Sequence, residues 1–492
     1  MAEDLGWHGI RGFGGARARC AHHKEQLHCK YIPERRRLRM EIERRLVDYI
    51  CTTTLKDIPQ EPRGVVKNIL LTVSGTTIAG ATEEGCEILV DFYKKLGGSD
   101  EATILIHGGK IPAENAALVN GVMARALDFC DAMIPGLHIG SSAVPSALAA
   151  AELAGGCSGK DFLAALAVGA EVAARLNLSE AAYDGFDPTG VCAVFAATAA
   201  ASKILHLNPT ETWNALALAF NRSGGSFQAN IDGSLAVRVI QGWVAQSGLM
   251  CARFARAGIT GPRNFLEGVY GYYHLHGKDL IDPKTVLAEL GTRFELMNVI
   301  FKKYPSCGVT QGCTEAILNL MEERPLTPEN VDRIEVTVPP YAYKLVGHEF
   351  RIGDNPRVNA QFNIQYCVAS ALSRGSSKLS HFEESAVRDP AILALVKKVH
   401  VAADSRLDAR GHTSLDMRLF TTKGDEYLKQ INIAPGFPGN PLSQQEHERR
   451  FWDCIEYASK PVPKNTAEQI VSLVDDIEKL EDVRVFIPLF LP

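Results

Sequence analysis

The segment ALDFCDAMIPGLHIGSSAVPSALA, residues 126–149, holds side chains that could transfer a proton. Asp128 and Asp131 precede His138, and a Pro-Gly pair lies between the acids and the histidine. Histidine is the usual acid/base group near neutral pH, and a carboxylate can orient it or share the proton. The plainer alternative is that the acids cap helix ends or face solvent, and that the histidine is a hydrogen-bonded structural residue.

Cationic and phenolic side chains further along could bind an anion. Arg238 lies in an apolar helical stretch, where a charged side chain needs a partner such as a ligand carboxylate or an internal Asp. Lys302 and Lys303 could hold a substrate carboxylate or form a basic hinge. Tyr341 and Tyr343 follow two prolines. This set suits carbon-acid or elimination chemistry on a small anionic substrate, without identifying the substrate.

Composition narrows the class of protein. The 492 residues suggest two or three domains, or one large domain with an insertion. A net charge of -5 gives no reason to expect nucleic acid as a partner, and no apolar run suggests a membrane span. Twelve cysteines without a signal peptide predict reduced thiols and a cytoplasmic location, with a mitochondrial presequence as the alternative.

The sequence carries no CxxC, GxGxxG, P-loop, HExxH or GxSxG motif. We therefore expect no bound iron or zinc. Residues 1–39 are basic, lack an apolar period and are predicted to be a disordered tail. A metal cluster in this tail is the alternative, but its spacing fits no common zinc module; its members would be Cys20, His22, His23, His28 and Cys29.

Residues 40–297 read as helices. Ala-rich segments such as SSAVPSALAAAELA and VFAATAAASKIL have high helix propensity and allow close helix packing. The pattern then changes, because VDRIEVTV alternates like a strand and SLDMRLFTTKGDEYLKQINI reads as a hairpin. QFNIQYCVASALSRG and PAILALVKKVHV, which lie between them, read as helical. Residues 298–433 are therefore predicted to form an α+β domain with an antiparallel sheet.

PGFPGNP, residues 435–441, reads as a linker, after which NTAEQIVSLVDDIEKL predicts a helix capped by Asn465 or Thr466. The predicted fold class is mainly α. A large all-α helical domain is built from two chain segments, 40–297 and 434–492, with an inserted smaller α+β lid domain at 298–433. A cleft between two domains is a preferred place for a small-molecule site.

Several segments, taken in order, resemble the MmgE/PrpD family, which includes 2-methylcitrate dehydratase, cis-aconitate decarboxylase and iminodisuccinate epimerase. They are NGVMARALDFCD, SSAVPSALAAAE, GFDPTGV, DGSLAVRVIQGWVAQSG, GITGPRNFLEGVYG, FKKYPSCGVTQ and NAQFNIQYCVASAL. The resemblance runs from about Met40 to the C-terminus. It implies an all-α domain with an α+β lid, a homodimer, a polycarboxylate substrate, and chemistry without metal or organic cofactor.

The resemblance carries over onto some positions. The family's two acids fall on Asp128 and Asp131, and its histidine falls on His138. The lysine at the start of its lid falls on Lys302, and a lid tyrosine falls on Tyr343.

Other positions depart from the family pattern. Asp187 stands where a catalytic histidine is expected, and Gln311 replaces another histidine. Val237 and Ile240 replace a lysine and a histidine, while Arg238 between them is retained. Losing the lysine removes a cationic anchor for a carboxylate. The substrate could therefore carry fewer or different acidic groups, the chemistry could be simpler, or activity could be lost.

The resulting hypothesis is a cofactor-independent lyase, most like a dehydratase of a small hydroxy di- or tricarboxylate, which acts through a carbanion or enolate. Decarboxylation, epimerisation and a catalytically impaired carboxylate-binding homodimer stay open as alternatives. His138 and Asp128 are the predicted catalytic residues. The predicted substrate-binding residues are Lys302, Arg238, Tyr343, Asp131 and Asp187.

Overall fold

The computed structural model describes residues 40–280, 282–460 and 462–491, and the tail predicted at residues 1–39 lies outside them. The protein is mainly helical, as the Ala-rich segments predict. Its longer helices span Glu41–Thr52, Gln60–Gly80, Cys86–Leu96, Ala113–Arg125, Gly140–Leu153, Gly159–Leu176, Val194–Ile204, Pro209–Phe220, Ala236–Arg256, Gln311–Glu323, Ile364–Arg374, Gln444–Tyr457 and Lys464–Asp475. Shorter helices span Gln228–Ile231, Tyr272–Leu275, Pro283–Leu287, Pro340–Val346, Pro356–Gln361, Glu384–Val387 and Pro390–Val396.

The strands form one four-stranded sheet and two small two-stranded ladders. The small ladders pair β1, Ala102–Thr103, with β2, Lys110–Ile111, and β3, Asp131–Ala132, with β4, Ile300–Phe301. The sheet has the order β6-β5-β7-β8. Its strands are β5, Val331–Val338, β6, Val399–Ala403, β7, Leu415–Thr421, and β8, Glu426–Ile431.

The antiparallel prediction for this sheet is wrong at one strand. β5, β7 and β8 are antiparallel neighbours, but β6 pairs with β5 in parallel. The segment PAILALVKKVHV is helical only at Pro390–Val396 and continues as β6 from Val399. The chain between β5 and β6 crosses over through several helices, and a crossover connection is what a parallel pair requires.

Two smaller expectations also need correction. Residues 40–297 are not wholly helical, because they contribute β1, β2 and β3. The last long helix begins at Lys464 after Pro463, without a side-chain cap, so Asn465 and Thr466 lie in its first turn and do not cap it. The segment 435–441, which is predicted to be a linker, contains the buried residue Phe437.

The buried apolar residues form two main clusters. One draws on residues between 42 and 301 and again between 442 and 490, and the other draws on residues between 313 and 419. The chain therefore leaves the first cluster near residue 301 and returns to it after residue 440. Across the described residues, 40–280, 282–460 and 462–491, no helix is both long enough and apolar enough to cross a membrane.

Local features near residue 130 bring distant segments together. Asp131 pairs with Phe301 and Ala132 pairs with Ile300 in the β3–β4 ladder. A bridge between Met133 and Leu137 then turns the chain back, so that His138 follows just before the Gly140–Leu153 helix. This short ladder places Lys302, which follows β4, close to Asp128, which precedes β3.

Candidate active site

Asp128 is the centre of a buried group of charges. Its Oδ1 accepts from Arg125 Nη1 at 2.5 Å and from Lys302 Nζ at 2.8 Å, and its main-chain carbonyl also accepts from Lys302 at 2.7 Å. Burial alone would raise the pKa of Asp128, but the two cations outweigh burial and hold this pKa well below its usual range. The carboxyl group is therefore ionised at any physiological pH.

Asp128 has a left-handed backbone conformation, with φ of +52°. Asp tolerates this region better than most residues, and such conformations cluster at functional sites. The main chain turns here directly after the Ala113–Arg125 helix, since the Asp128 N–H donates to the Arg125 carbonyl at 3.1 Å. Because of this turn, the side chains of Arg125 and Asp128, three positions apart in sequence, form an ion pair.

His138 lies beside this charged group with a defined tautomer. Its Nδ1 is 2.6 Å from the Asp131 main-chain carbonyl, which can only accept, so Nδ1 carries the proton. Nε2 is then the basic nitrogen, and it lies 3.5 Å from Arg125 Nη2. Burial first, and then the charges of Arg125 and Lys302, lower the pKa of His138 to about 3. The imidazole is therefore neutral in the ligand-free protein.

Asp187 joins the same site through Thr189. The Thr189 hydroxyl accepts from the His138 main-chain N–H at 3.0 Å, and Asp187 Oδ1 accepts from the N–H groups of Thr189 and Gly190 at 2.9 and 3.1 Å. Burial raises the pKa of Asp187, while the Gly190 N–H and Arg125 act against this rise. A carboxyl group of this kind could donate a proton at a higher pH than an exposed one.

These residues border a cavity of about 650 Å³. His138, Asp128, Lys302 and Asp187 all line it, and Lys302 lies against Asp128 itself instead of facing it across the cleft. Apolar residues form much of the remaining wall. They include Met133, Ile134, Val237, Ile240, Val309, Leu345, Phe362 and Phe437.

Asp131, Arg238 and Tyr343, which the sequence predicted to bind substrate, are not among the residues that line the cavity. The Asp131 carboxylate accepts from the main-chain N–H groups of Ile139 and Gly140, and so caps the helix that follows His138. Arg238 is buried and donates to the Glu84 carbonyl at 2.7 Å. Tyr343 is 39% exposed. In this structure the Asp131 and Arg238 side chains therefore make other contacts.

Two further polar residues from the lid sequence have structural partners. Lys303 pairs with Glu315 and Glu446 at 3.0 Å each, so the two adjacent lysines differ in role. Gln311, which replaces a family histidine, is buried and binds the main-chain N–H and carbonyl of Tyr304. It fixes the loop after Lys302 and is not part of the cavity lining.

Sequence reasoning missed Arg125 and Gln241 and preferred Tyr343 to its neighbour Tyr341. Arg125 is the only arginine in VMARALDFC and has apolar flanks, the same signal that singled out Arg238. Tyr341 lines the cavity and packs its ring edge-on against His412 at 5.5 Å. Sequence spacing alone could not decide which of the two tyrosines faces the cavity, because only one residue lies between them in a short helix.

The described part of the chain contains no group of three or more His, Cys, Asp or Glu side chains placed to hold a metal ion. The charged side chains that line the cavity are cations and carboxyl groups that are not clustered with one another. The arrangement favours an anionic ligand held by Arg125 and Lys302, with an imidazole nitrogen available as a base.

The mainly helical fold and the site together define a helical protein with a cavity bordered by a buried group of charges. The family model for the MmgE/PrpD N-terminal domain matches residues 44–281, and the model for the MmgE/PrpD C-terminal domain matches residues 304–476. The chain belongs to the MmgE/PrpD family.

Curated relatives match most of the chain. Cis-aconitate decarboxylase of Homo sapiens is 26% identical over 435 residues, which cover 85% of this chain and 88% of that protein. A cis-aconitate decarboxylase-like protein of Aspergillus oryzae is also 26% identical, covering 89% and 95%. Cis-aconitate decarboxylase of Aspergillus terreus is 24% identical, covering 87% and 91%.

Proposed function

We propose that this protein is a lyase that removes a proton from the carbon next to the carboxylate of a small organic acid. The observation that carries the proposal is the arrangement of Arg125, Lys302 and Asp128 beside a neutral His138 whose Nε2 carries no proton. The two cations outnumber the one carboxylate, so the group has an uncompensated positive charge that a substrate carboxylate would balance.

In the proposed reaction, the substrate carboxylate binds Arg125 and Lys302, and His138 Nε2 takes the proton from the adjacent carbon. The cations stabilise the charge of the resulting enolate. A substrate carboxylate placed beside them also offsets their effect on His138, so the pKa of the imidazole rises as the substrate binds. The base is thereby strengthened when it is needed.

Dehydration follows if the substrate carries a hydroxyl group one carbon further away. The electron pair left by the proton forms the carbon–carbon double bond, and the carbon–oxygen bond breaks. Asp187, whose pKa is raised by burial, is the proposed proton donor to the departing hydroxyl, which leaves as water. Decarboxylation is the second candidate, because the relatives are named cis-aconitate decarboxylases. A similar enolate would then form by loss of carbon dioxide and be protonated on carbon.

We further propose that residues 298–433 act as a lid over this cavity. Lys302, Val309, Tyr341 and Phe362 reach the cavity from that segment, whereas Arg125 and its neighbours come from the helical part. A lid movement would exclude water from the enolate.

The experiment is incubation in heavy water with a panel of hydroxy acids and unsaturated acids, followed by mass spectrometry. A working site incorporates deuterium next to the carboxylate even where elimination is slow. His138→Asn retains an N–H near the Asp131 carbonyl but has no base, and we expect exchange to fall by about 10²–10⁴. Lys302→Met should mainly weaken binding.

The alternative is a carboxylate-binding protein without turnover, suggested by Val237 and Ile240 at positions where the family pattern has a lysine and a histidine. It predicts Lys302-dependent binding with no deuterium incorporation and no product from any acid. Exchange that persists unchanged in His138→Asn would contradict the assignment of the base.

A further inference from the structure

We propose that the substrate is a hydroxy monocarboxylate with an apolar substituent, and that Gln241 recognises its hydroxyl group. This inference rests on the proposed function and specifies its substrate class. Gln241 borders the cavity and is 1% exposed. Neither its Nε2 nor its Oε1 has a hydrogen-bond partner among the described residues, 40–280, 282–460 and 462–491.

An unpaired buried amide is costly, so it needs an explanation. The Gln241 main chain is fixed, because a Cβ on Gly121 would lie 3.3 Å from its carbonyl oxygen and 3.2 Å from the Gly242 Cα. The side chain has three torsions and can rotate toward a ligand in the adjoining cavity. A ligand that both donates and accepts would satisfy both ends of the amide.

A second polar atom at the cavity also needs a donor. Asp128 Oδ2 is buried and has no hydrogen-bond partner within the described part of the chain, whereas Oδ1 accepts from both cations. Carboxylates offer only acceptors at neutral pH, so an acid with no other polar group cannot satisfy Asp128 Oδ2 or Gln241 Oε1. A hydroxyl group donates one hydrogen bond, so it can satisfy one of these two oxygens.

The charges of the inner cavity favour one carboxylate. Arg125 and Lys302 contribute two positive charges and Asp128 contributes one negative charge, while His138 is neutral. Asp187 also lines the cavity and adds no positive charge in either protonation state. The other cation in the lining, Lys344, is exposed, and so is Glu180. Additional substrate carboxylates would therefore be buried without partners, at a large cost in free energy.

The wall next to Gln241 on its own helix is apolar. Val237 and Ile240 both line the cavity. Ile240 Cδ1 lies beside Asp187, since a Cβ on Gly225 would be 3.0 Å from Ile240 Cδ1 and 3.2 Å from Asp187 Cβ. An alkyl substituent on the substrate would cover this surface and exclude water from the reacting carbons.

The test compares nearly isosteric acids by calorimetric titration: 3-hydroxy-3-methylbutanoate and 3,3-dimethylbutanoate, with cis-aconitate as the polycarboxylate. The wild-type protein should bind the hydroxy acid about tenfold or more tightly than the dimethyl acid, because a site built around a hydroxyl rejects the analogue that lacks it. Cis-aconitate should bind more weakly than the hydroxy acid. In Gln241→Met the preference for the hydroxyl should vanish.

The same variant has a second readout in the absence of ligand. Replacing an unpaired amide by a thioether of similar shape should raise Tm by about 1–2 °C. Gln246→Met is the matched control on the same helix, because the Gln246 amide is paired with Asn115 at 3.0 Å and does not line the cavity. It should leave the hydroxyl preference unchanged and should not raise Tm.

Failures of the two proposals are distinguishable. If Lys302→Met abolishes binding of every acid but the wild type shows no hydroxyl preference, or prefers cis-aconitate, only the substrate class is wrong. A Tm that falls in Gln241→Met would show a structural amide and would also overturn the inference. If no acid binds, or binding ignores Lys302, the proposed function fails together with it.

Discussion

His138 can act through only one of its ring nitrogens, because Nδ1 is committed to the Asp131 carbonyl. Its pKa of about 3 in the ligand-free protein lies below the ordinary value of 6.5. The unfolded chain therefore binds a proton at His138 below about pH 6.5, while the folded protein does not until about pH 3. This residue destabilises the fold progressively as the pH falls through that window.

We expect the His138 ring protons to show no titration between about pH 5 and 8 in nuclear magnetic resonance spectra of the free protein. A bound carboxylate should move the titration to higher pH, since it offsets Arg125 and Lys302. His138→Asn should flatten part of the dependence of unfolding free energy on pH below about 6.5. A titration midpoint of the His138 ring near pH 6.5 without ligand would mean that burial and the two cations do not lower its pKa as described.

Asp187 offers a test of the departure from the family pattern. Asp187→His replaces the buried carboxyl group with an imidazole that can shuttle protons, so turnover of cis-aconitate should rise, by about tenfold or more if the missing histidine limits the chemistry. The loss of contacts to the Thr189 and Gly190 N–H groups should cost about 1 kcal/mol of stability. Asp187→Asn keeps those contacts without a shuttle, and equal gains in both variants would argue against the histidine.

At the scale of elements, one carboxylate holds the helix that begins after His138. Asp131 accepts from the first N–H groups of the Gly140–Leu153 helix, and a Cβ on Gly140 would lie 2.3 Å from Asp131 Oδ1. Glycine is therefore needed at position 140, and the cap fits closely. Asp131 thus supports the active site through the backbone around His138.

Asp131→Ala should lower the free energy of unfolding by about 1–3 kcal/mol, because it leaves buried N–H groups unpaired. Turnover should fall through kcat, with KM little changed, since the base is misplaced but Arg125 and Lys302 still bind the carboxylate. Chemical denaturation and steady-state kinetics measure the two effects. A large rise in KM alone would instead return Asp131 to the predicted substrate-binding role.

Helices and the hairpin were predictable because apolar periodicity is local, whereas the direction of β6 depends on a crossover that no single segment encodes. The site residues likewise divide into those that the sequence predicted and those that only the packing reveals. Asp128, His138 and Lys302 matched a sequence pattern and meet in the structure. Arg238 and Arg125 have equivalent sequence surroundings, and only packing decides that Arg125 faces the cavity.

At the scale of the whole molecule, the homodimer implied by the family resemblance stays a prediction. The Cys86–Leu96 helix leaves Ile88, Phe92 and Leu96 exposed by 70%, 56% and 62%. These residues are four apart and share one helix face. An exposed apolar stripe of this kind is typical of an interaction surface, and two-fold symmetry would place it against a second copy.

Replacing Ile88 and Phe92 together by Glu should convert a dimer to a monomer in sedimentation velocity experiments, with the helical circular dichroism spectrum retained. Leu428→Glu is the control, because Leu428 is 59% exposed on β8, away from that helix in sequence. A wild-type protein that sediments as a monomer at micromolar concentration would contradict the expectation.

The ladder between β3 and β4 also bears on when the site forms during folding. Lys302 binds Asp128 across 174 positions of sequence, whereas Arg125 reaches Asp128 across three. Closing so long a loop is slow relative to forming helices. After dilution from denaturant, the helical signal should therefore return before the ability to bind a carboxylate, and stopped-flow recording of both would reveal the delay. A chain ending before residue 300 would lack Lys302, and with it one of the two cations of the proposed carboxylate site.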